Sequence, residues 1–190
     1  QVMLDDPTAP RSEIVERLRI LIEYAHARDV AVEAGFGHLP SGAAGEIEDA
    51  DSGMTDPDGA ARFVHETGID ILGVSVGNVH ILLDGERGLD LECLAAISAQ
   101  VDVPLDLHGG TGVGSADLQK AISLGVAKVC YGTYVKQHYL TAVRKALTSK
   151  ESNPHLLLGF GGDEDVMVAG RLAVRDAVLQ RIESLGCCGK

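Results

Sequence analysis

At 190 residues, with 45% hydrophobic content, 23 glycines and six prolines, the chain holds enough apolar material for one sizeable core, and disorder is not indicated. Its formal net charge of −12, from 28 acidic against 16 basic residues, argues against a nucleic-acid partner, because a phosphate backbone needs a basic face and these cations are scattered. No apolar run approaches the ~20 residues of a membrane helix, no export signal is read, and the four cysteines form no C-x-x-C pair, so no membrane, disulfide framework or zinc finger is expected and the expected compartment is the cytoplasm.

In chain order, Val2 to Asp5 is a short strand, and Ile14, Leu18, Leu21, Ile22 and Ala25 then recur at helical spacing up to Arg28. Val30 to Glu33 is the next strand, followed by a glycine-rich stretch from Gly35 to Gly53. Thr55-Asp56-Pro57 supplies a helix cap with proline in the first turn, Phe63 and Val64 fall on the buried side, and Gly68 terminates. Strand Ile69 to Val76, a helix around Leu91, Leu94, Ala95 and Ile97, and strand Val103 to Leu107 come next. A helix around Leu118 and Ile122 ends at Gly125 before strand Ala127 to Tyr131. The last sixty residues are helical: one helix carries Val135, Tyr139, Val143 and Leu147, a loop runs through Ser152-Asn153-Pro154, and a long helix carries Val166, Leu172, Val178, Ile182 and Leu185.

Five consecutive β-α units with near-continuous apolar strands predict a parallel sheet wound in one hand. Chemistry-bearing residues at the strand ends favour a TIM-type (β/α)8 barrel over an open sheet. At 190 residues the chain is short of the roughly 250 of a complete barrel, so the expectation is a single partial-barrel domain over 1–190.

Two histidines carry the chemical signal. His80, in Val76-Gly77-Asn78-Val79-His80, and His108, in Leu105-Asp106-Leu107-His108-Gly109-Gly110-Thr111-Gly112, each close an apolar run and open onto a turn. An imidazole at a strand's carboxyl end can point into the barrel mouth, and two successive strands ending this way can share one metal ion. Beyond His108, Gly109, Gly110 and Gly112 let backbone amides approach an oxyanion, Thr111 adds a hydroxyl, and a helix starting near Ser115 aims its positive end at the same region. The bland alternative is a tight strand-to-helix turn. With His108 and the second loop, Gly132-Thr133, included, ligand binding is the better account.

Asp5 and Glu33 end strands, which puts carboxylates in the mouth. His38 lies in a glycine-rich loop and reads as an exposed residue within reach of the site, whereas His26, His65, His138 and His155 read as surface residues. Cys130 inside an apolar strand is more often an inert small hydrophobe than a reactive thiol.

The order Val2-Met3-Leu4-Asp5, Val32-Glu33-Ala34, Thr55-Asp56-Pro57, Gly77-Asn78-Val79-His80, Leu107-His108-Gly109-Gly110-Thr111-Gly112 and Lys128-Val129-Cys130-Tyr131-Gly132-Thr133 resembles the class II, zinc-dependent ketose-bisphosphate aldolases, the fructose- and tagatose-bisphosphate branch. Even Gly186-Cys187-Cys188-Gly189 is similar to the family's C-terminus. The resemblance implies a zinc ion held by three histidines, which polarises the carbonyl of a ketose phosphate and stabilises the enediolate left by carbon–carbon cleavage. His80 and His108 match two of the three. The third, and the aspartate beside it that acts as general acid or base, belong to a strand preceding Val2. The resemblance also implies that this sequence carries barrel strands four to eight, so that the other part of the barrel, or a partner in a homodimer or higher homo-oligomer, covers the exposed sheet edges. Gly109, Gly110, Thr111, Cys130, Gly132 and Thr133 match the positions that contact substrate and its phosphate.

Several positions depart from the family pattern. Ile81 stands where glycine follows the second histidine, Cys130 replaces an asparagine, and Gly35 replaces a glutamate two positions beyond Glu33. Pro40-Ser41-Gly42-Ala43-Ala44-Gly45 replaces an acidic loop, for which Glu46, Glu48 or Asp49 could substitute, although a solvated acidic loop is preferred. The expected function is therefore an aldolase-like lyase acting on a small phosphorylated sugar with altered contacts. Its alternatives are a non-catalytic aldolase-like binding subunit, and a metal-free phosphate-binding isomerase or synthase with His108 as general base.

Overall fold

A computed structural model describes residues 1–6, 8–42 and 53–188. Positions Ala43 to Gly45, Glu46, Glu48, Asp49 and Gly189, weighed above, lie outside the described residues. The chain forms two compact units, Gln1–Cys130 and Tyr131–Lys190.

The first unit alternates strand and helix: β1 (Val2–Leu4), α1 (Arg11–His26), β2 (Val32–Phe36), α2 (Pro57–Thr67), β3 (Ile71–Val74), α3 (Leu91–Ser98), β4 (Leu105–Leu107), α4 (Ser115–Ser123) and β5 (Val126–Val129). All neighbouring strands pair in parallel and the sheet order is β1-β2-β3-β4-β5. Each crossover advances the sheet by one strand with no reversal of direction. That is the winding of a barrel arc, whereas a doubly wound sheet reverses at a switch point.

Local chemistry sets the element ends. Asp56 caps α2 by accepting the Gly59 N–H at 2.7 Å, Pro57 fills the first turn, and Gly68 closes the helix in the left-handed region at φ 78°. Asp90 caps α3 in the same manner through Cys93 N–H at 2.8 Å. β2 begins two residues later than the apolar pattern predicts, because Val30 N–H still donates to Ala25 O at 3.0 Å and Asp29 turns the chain at φ 56°. β3 is likewise shorter at both ends: Val76 N–H leaves the ladder to donate to the Asn78 side chain at 2.8 Å.

The core is aliphatic apart from Phe63. Leu18 and Ala25 from α1, Phe63 from α2, Leu94 and Ile97 from α3 and Leu118 from α4 are buried, as are Val32, Ala34, Leu72, Leu105 and Leu107 from the strands. Side chains alternate along a strand, so Glu33 and Asp106 occupy the opposite face from these apolar neighbours. Both are completely buried. Asp106 stands opposite Lys128 in the β4–β5 register.

The second unit holds α5 (Thr133–Ala146), α6 (Pro154–Leu157) and α7 (Val166–Ser184). Helices α5 and α7 pack together, and the Tyr139 ring lies where a Cβ at Gly170 would stand, so glycine is what lets α7 approach. The stretch Ser152-Asn153-Pro154, expected as loop, runs into the single turn α6: Asn153 accepts His155 N–H at 3.0 Å and Pro154 needs no hydrogen-bond partner at the first position. Asp165 caps α7 through Met167 N–H and also accepts the Gly159 and Gly161 amides at 2.8 and 2.9 Å.

Candidate metal and substrate site

A cleft of about 700 Å³ opens at the carboxyl ends of β1 to β4. Its lining includes Asp5, Gly35, His38, Ser41, Ser75, His80 and His108. Both histidines singled out by the sequence face this one cavity, although they come from different turns. The His80 backbone is fixed by a parallel bridge: its N–H donates to Pro40 O at 2.8 Å and its carbonyl accepts Gly42 N–H at 2.9 Å. Its side chain is exposed.

His108 is held far more tightly. Its Nε2 lies 3.0 Å from Glu33 Oε1 and 3.1 Å from Asp106 Oδ2, and its carbonyl accepts the Asn78 amide at 2.9 Å. Asn78 is itself buried and spends its remaining capacity on Val74 O and Val76 N–H, which ties the end of β3 to the end of β4. A buried amide satisfied on both ends behaves as a rigid clip.

Lys128 completes the cluster: its Nζ donates to Glu33 Oε2 at 2.5 Å and to Asp106 Oδ2 at 2.9 Å. Gln1 Nε2 also donates to Glu33 Oε2. Two buried carboxylates are thus matched by one ammonium and one imidazole, the pairing a low-dielectric site requires. Hydrogen bonding to Asp106 and to Cys130 pushes His108 up to about 11, against the opposing effect of burial. Burial acts to raise the Asp106 carboxyl, but hydrogen bonds from His108 and Lys128 outweigh it and hold the group below the usual carboxylate range. For Lys128 burial acts to lower the ammonium, and the bonds to Glu33 and Asp106 more than reverse it. Cys130 Sγ stands 3.6 and 3.7 Å from the two Asp106 oxygens. The ligand atoms of Asp106, His108 and Cys130 lie within 4.8 Å of one another, the one such group of three among the described residues.

The glycine turn after His108 is dictated by packing. Gly109 has φ 71°, and a Cβ there would overlap the Val79 carbonyl, so only glycine lets β4 turn against the segment that carries His80. Gly110 to Gly112 form a single 3-10 turn. The Gly110 N–H donates to Cys130 O at 3.0 Å, which ties the turn to the end of β5, and the Gly112 N–H donates to Gly109 O at 3.3 Å, which closes the turn on itself. Thr111 is half-buried beside them. Gly132 and Thr133 open the second unit, with Thr133 the first residue of α5 and Gly132 O accepting Lys136 N–H at 3.2 Å.

Asp5 and His38 line the cleft and are exposed. His26 is exposed and pairs with Asp70 at 2.8 Å, and His138 bonds Tyr134 O at 2.8 Å through Nδ1. Ile81, the departure next to His80, takes φ 59°. This left-handed conformation is costly for a β-branched residue and natural to glycine.

Sequence reasoning missed Asp106 and Lys128 as site residues, although both stood inside quoted motifs. The available signal was a charge in the middle of each apolar strand, Val32-Glu33-Ala34, Leu105-Asp106-Leu107 and Ala127-Lys128-Val129. Charged residues are almost never fully buried unless paired.

The sequence model of the family described as Fructose-bisphosphate aldolase class-II matches residues 1–190. Among solved structures, the YdjI aldolase from Escherichia coli K12 superimposes with a TM-score of 0.76 at 29% identity, covering 98% of this chain and 60% of that one. A Coccidioides immitis protein described as a candidate fructose-1,6-bisphosphate aldolase gives 0.71 at 31% identity, covering 97% of this chain and 63% of that one. The fructose-bisphosphate aldolase of Campylobacter jejuni shares the fold, with a TM-score of 0.71 at 21% identity over 97% of this chain and 60% of that one. The chain therefore spans about three-fifths of the length of the structures it matches, as a partial barrel does. Among the described residues no helix is long and apolar enough to cross a membrane.

Proposed function

Because this chain belongs to the class II fructose-bisphosphate aldolase family, we propose that it forms the metal- and phosphate-binding part of an aldolase-type lyase, with His80 and His108 as zinc ligands. The observation that carries this reading is the convergence of both imidazoles on one cleft at the carboxyl ends of the strands. The donor chemistry fits a zinc ion: imidazole nitrogens suit it, and a His108 ring oriented by buried carboxylates is the usual support for a ligating histidine. When bound, such an ion acts as a Lewis acid toward a substrate carbonyl and stabilises negative charge developing on its oxygen.

The chain's own residues do the positioning. Glu33 and Asp106 fix the His108 ring, Lys128 neutralises the carboxylates that do so, and Asn78 fixes the backbone from which the ring projects. Thr111 and the amide of Gly109 are the proposed contacts for an anionic substrate group. Asp5 lines the same cleft, and its proposed role is to contact the metal region. The resemblance assigns Gly132 and Thr133 to the same phosphate-binding role. The catalytic acid or base lies outside this segment by that resemblance. Ile81 and Cys130 replace a glycine and an asparagine amide, so the favoured substrate is a phosphorylated ketose other than the standard bisphosphates. A homo-oligomer and a cytoplasmic location complete the proposal.

The test is equilibrium binding of dihydroxyacetone phosphate, used as a minimal phosphorylated ketose, to the full chain with and without zinc. Binding should tighten when zinc is present and should weaken in the His108→Ala variant. Equal binding in zinc and in chelator would favour the metal-free phosphate-binding alternative.

A further inference from the structure

Tyr131 and Tyr134 stand on either side of Gly132-Thr133 and have no role in the reading above. From the last turn of α7 the Arg181 guanidinium lies over both rings, 5.6 Å from the Tyr131 centroid and 4.3 Å from that of Tyr134. The two rings meet edge to face at 6.2 Å, and the Tyr134 hydroxyl donates to Gln180 Oε1 at 2.8 Å. A Cβ added at Gly132 would have no atom within 4 Å, so packing at the loop itself does not hold it, and the flanking rings are what anchor it to α7. A helix that needed only a cation near its carboxyl end would leave that cation in water. Arg181 Nε and the Tyr131 hydroxyl are instead buried without a hydrogen-bond partner, a cost that the contact between cation and ring faces offsets.

We infer that Arg181 is a positioning residue for an anion bound at Gly132-Thr133: stacked on the residues before and after the loop, it fixes the Gly132 and Thr133 backbone and the Thr133 hydroxyl without touching the ligand. This role rests on the reading of Gly132 and Thr133 as phosphate contacts and adds what holds them in place. Planarity matters more here than charge. A guanidinium covers two rings as a flat plate, whereas an ammonium is a point charge on a flexible stem. A loop ordered before the anion arrives loses less conformational freedom on binding, which is how a residue remote from the ligand strengthens it.

The probe is dihydroxyacetone phosphate, titrated by calorimetry into the zinc-loaded full chain. Arg181→Met and Tyr134→Leu should each weaken its binding roughly 3- to 10-fold, and the double variant should bind no more weakly than the weaker single variant, because both changes break one contact. Arg181→Lys should resemble Arg181→Met, whereas Tyr134→Phe, which keeps the ring, should retain wild-type affinity. Zinc affinity should be unchanged in all of them, a result that a general loss of structure would not give. Wild-type affinity in folded Arg181→Met, additive effects in the double variant, or full retention in Arg181→Lys would overturn the positioning role. Loss of fold or of zinc in Arg181→Met and Arg181→Lys alike would overturn it too, by marking Arg181 as a structural residue. Thr133→Val separates the two readings: unchanged affinity there overturns the phosphate assignment of the loop, whereas weakened binding in Thr133→Val beside wild-type binding in Arg181→Met removes only the role of Arg181.

Discussion

Replacing Lys128 with methionine keeps the length of the side chain and removes the charge that lies between Glu33 and Asp106. Both carboxylates are 0% exposed, so neither can recover the lost interaction from water. Breaking a buried ion pair by removing one partner costs about 3–5 kcal/mol. The Lys128 side chain is 35% exposed, which admits screening and sets the expected loss near the lower end, about 3 kcal/mol. Urea unfolding of the full chain measures it as a lowered midpoint at unchanged m-value. The deficit should also depend on pH with a definite sign. Without the ammonium, the folded-state pKa of Asp106 rises relative to its lowered wild-type value. The variant therefore recovers stability as pH falls, and the gap should narrow between about pH 7 and pH 4. A loss below about 1 kcal/mol at pH 7, or a gap that widens on acidification, would refute the account of a charge-matched buried cluster.

Ile81 at φ 59° predicts that Ile81→Gly is more stable than Ile81→Ala by about 0.5–1 kcal/mol, the reverse of the usual alanine advantage, because αL costs a side-chain-bearing residue about 1–2 kcal/mol; thermal unfolding of the pair checks the order. Thr111→Val, which deletes a hydroxyl at constant shape, should weaken binding of a phosphorylated ketose by about 0.5–1.5 kcal/mol, read by calorimetry. In the second unit, the amides of Gly161, Met167 and Gly159 hold the Asp165 carboxyl below its ordinary range, Gly161 most strongly. Its contribution to stability is present above the unfolded carboxylate pKa and is lost as pH falls through the lower folded value. Asp165→Asn should flatten that acid limb in a pH series of melting temperatures.

The alternation of elements was legible because helix caps and apolar spacing are local signals: Asp56-Pro57 and Gly68 bracket α2 where the spacing predicts. His80 and His108 were legible as a pair because each ends an apolar run, and the structure places both on one cleft. The charged cluster was not. Glu33, Asp106 and Lys128 are 73 and 22 positions apart in sequence, and only the parallel register brings Asp106 opposite Lys128. Glu33 could be read as a strand-end carboxylate, but that it holds the His108 ring follows from tertiary packing. The turn after His108 illustrates a different limit. Its glycines signal an anion loop and a tight turn equally well, and the Gly110 amide is engaged by Cys130 O, a partner twenty residues away that no local pattern discloses. Strand ends were displaced where side chains competed for the ladder, as Asn78 does at Val76.

The central claim is that His80 and His108 bind one ion. Zinc content of the purified full chain, of His80→Ala and of His108→Ala, each shown to be folded by circular dichroism, tests it most directly. The account predicts about one zinc per wild-type chain and its loss from both variants. Wild-type zinc content in either folded variant, or none in the wild type after zinc loading, would contradict it.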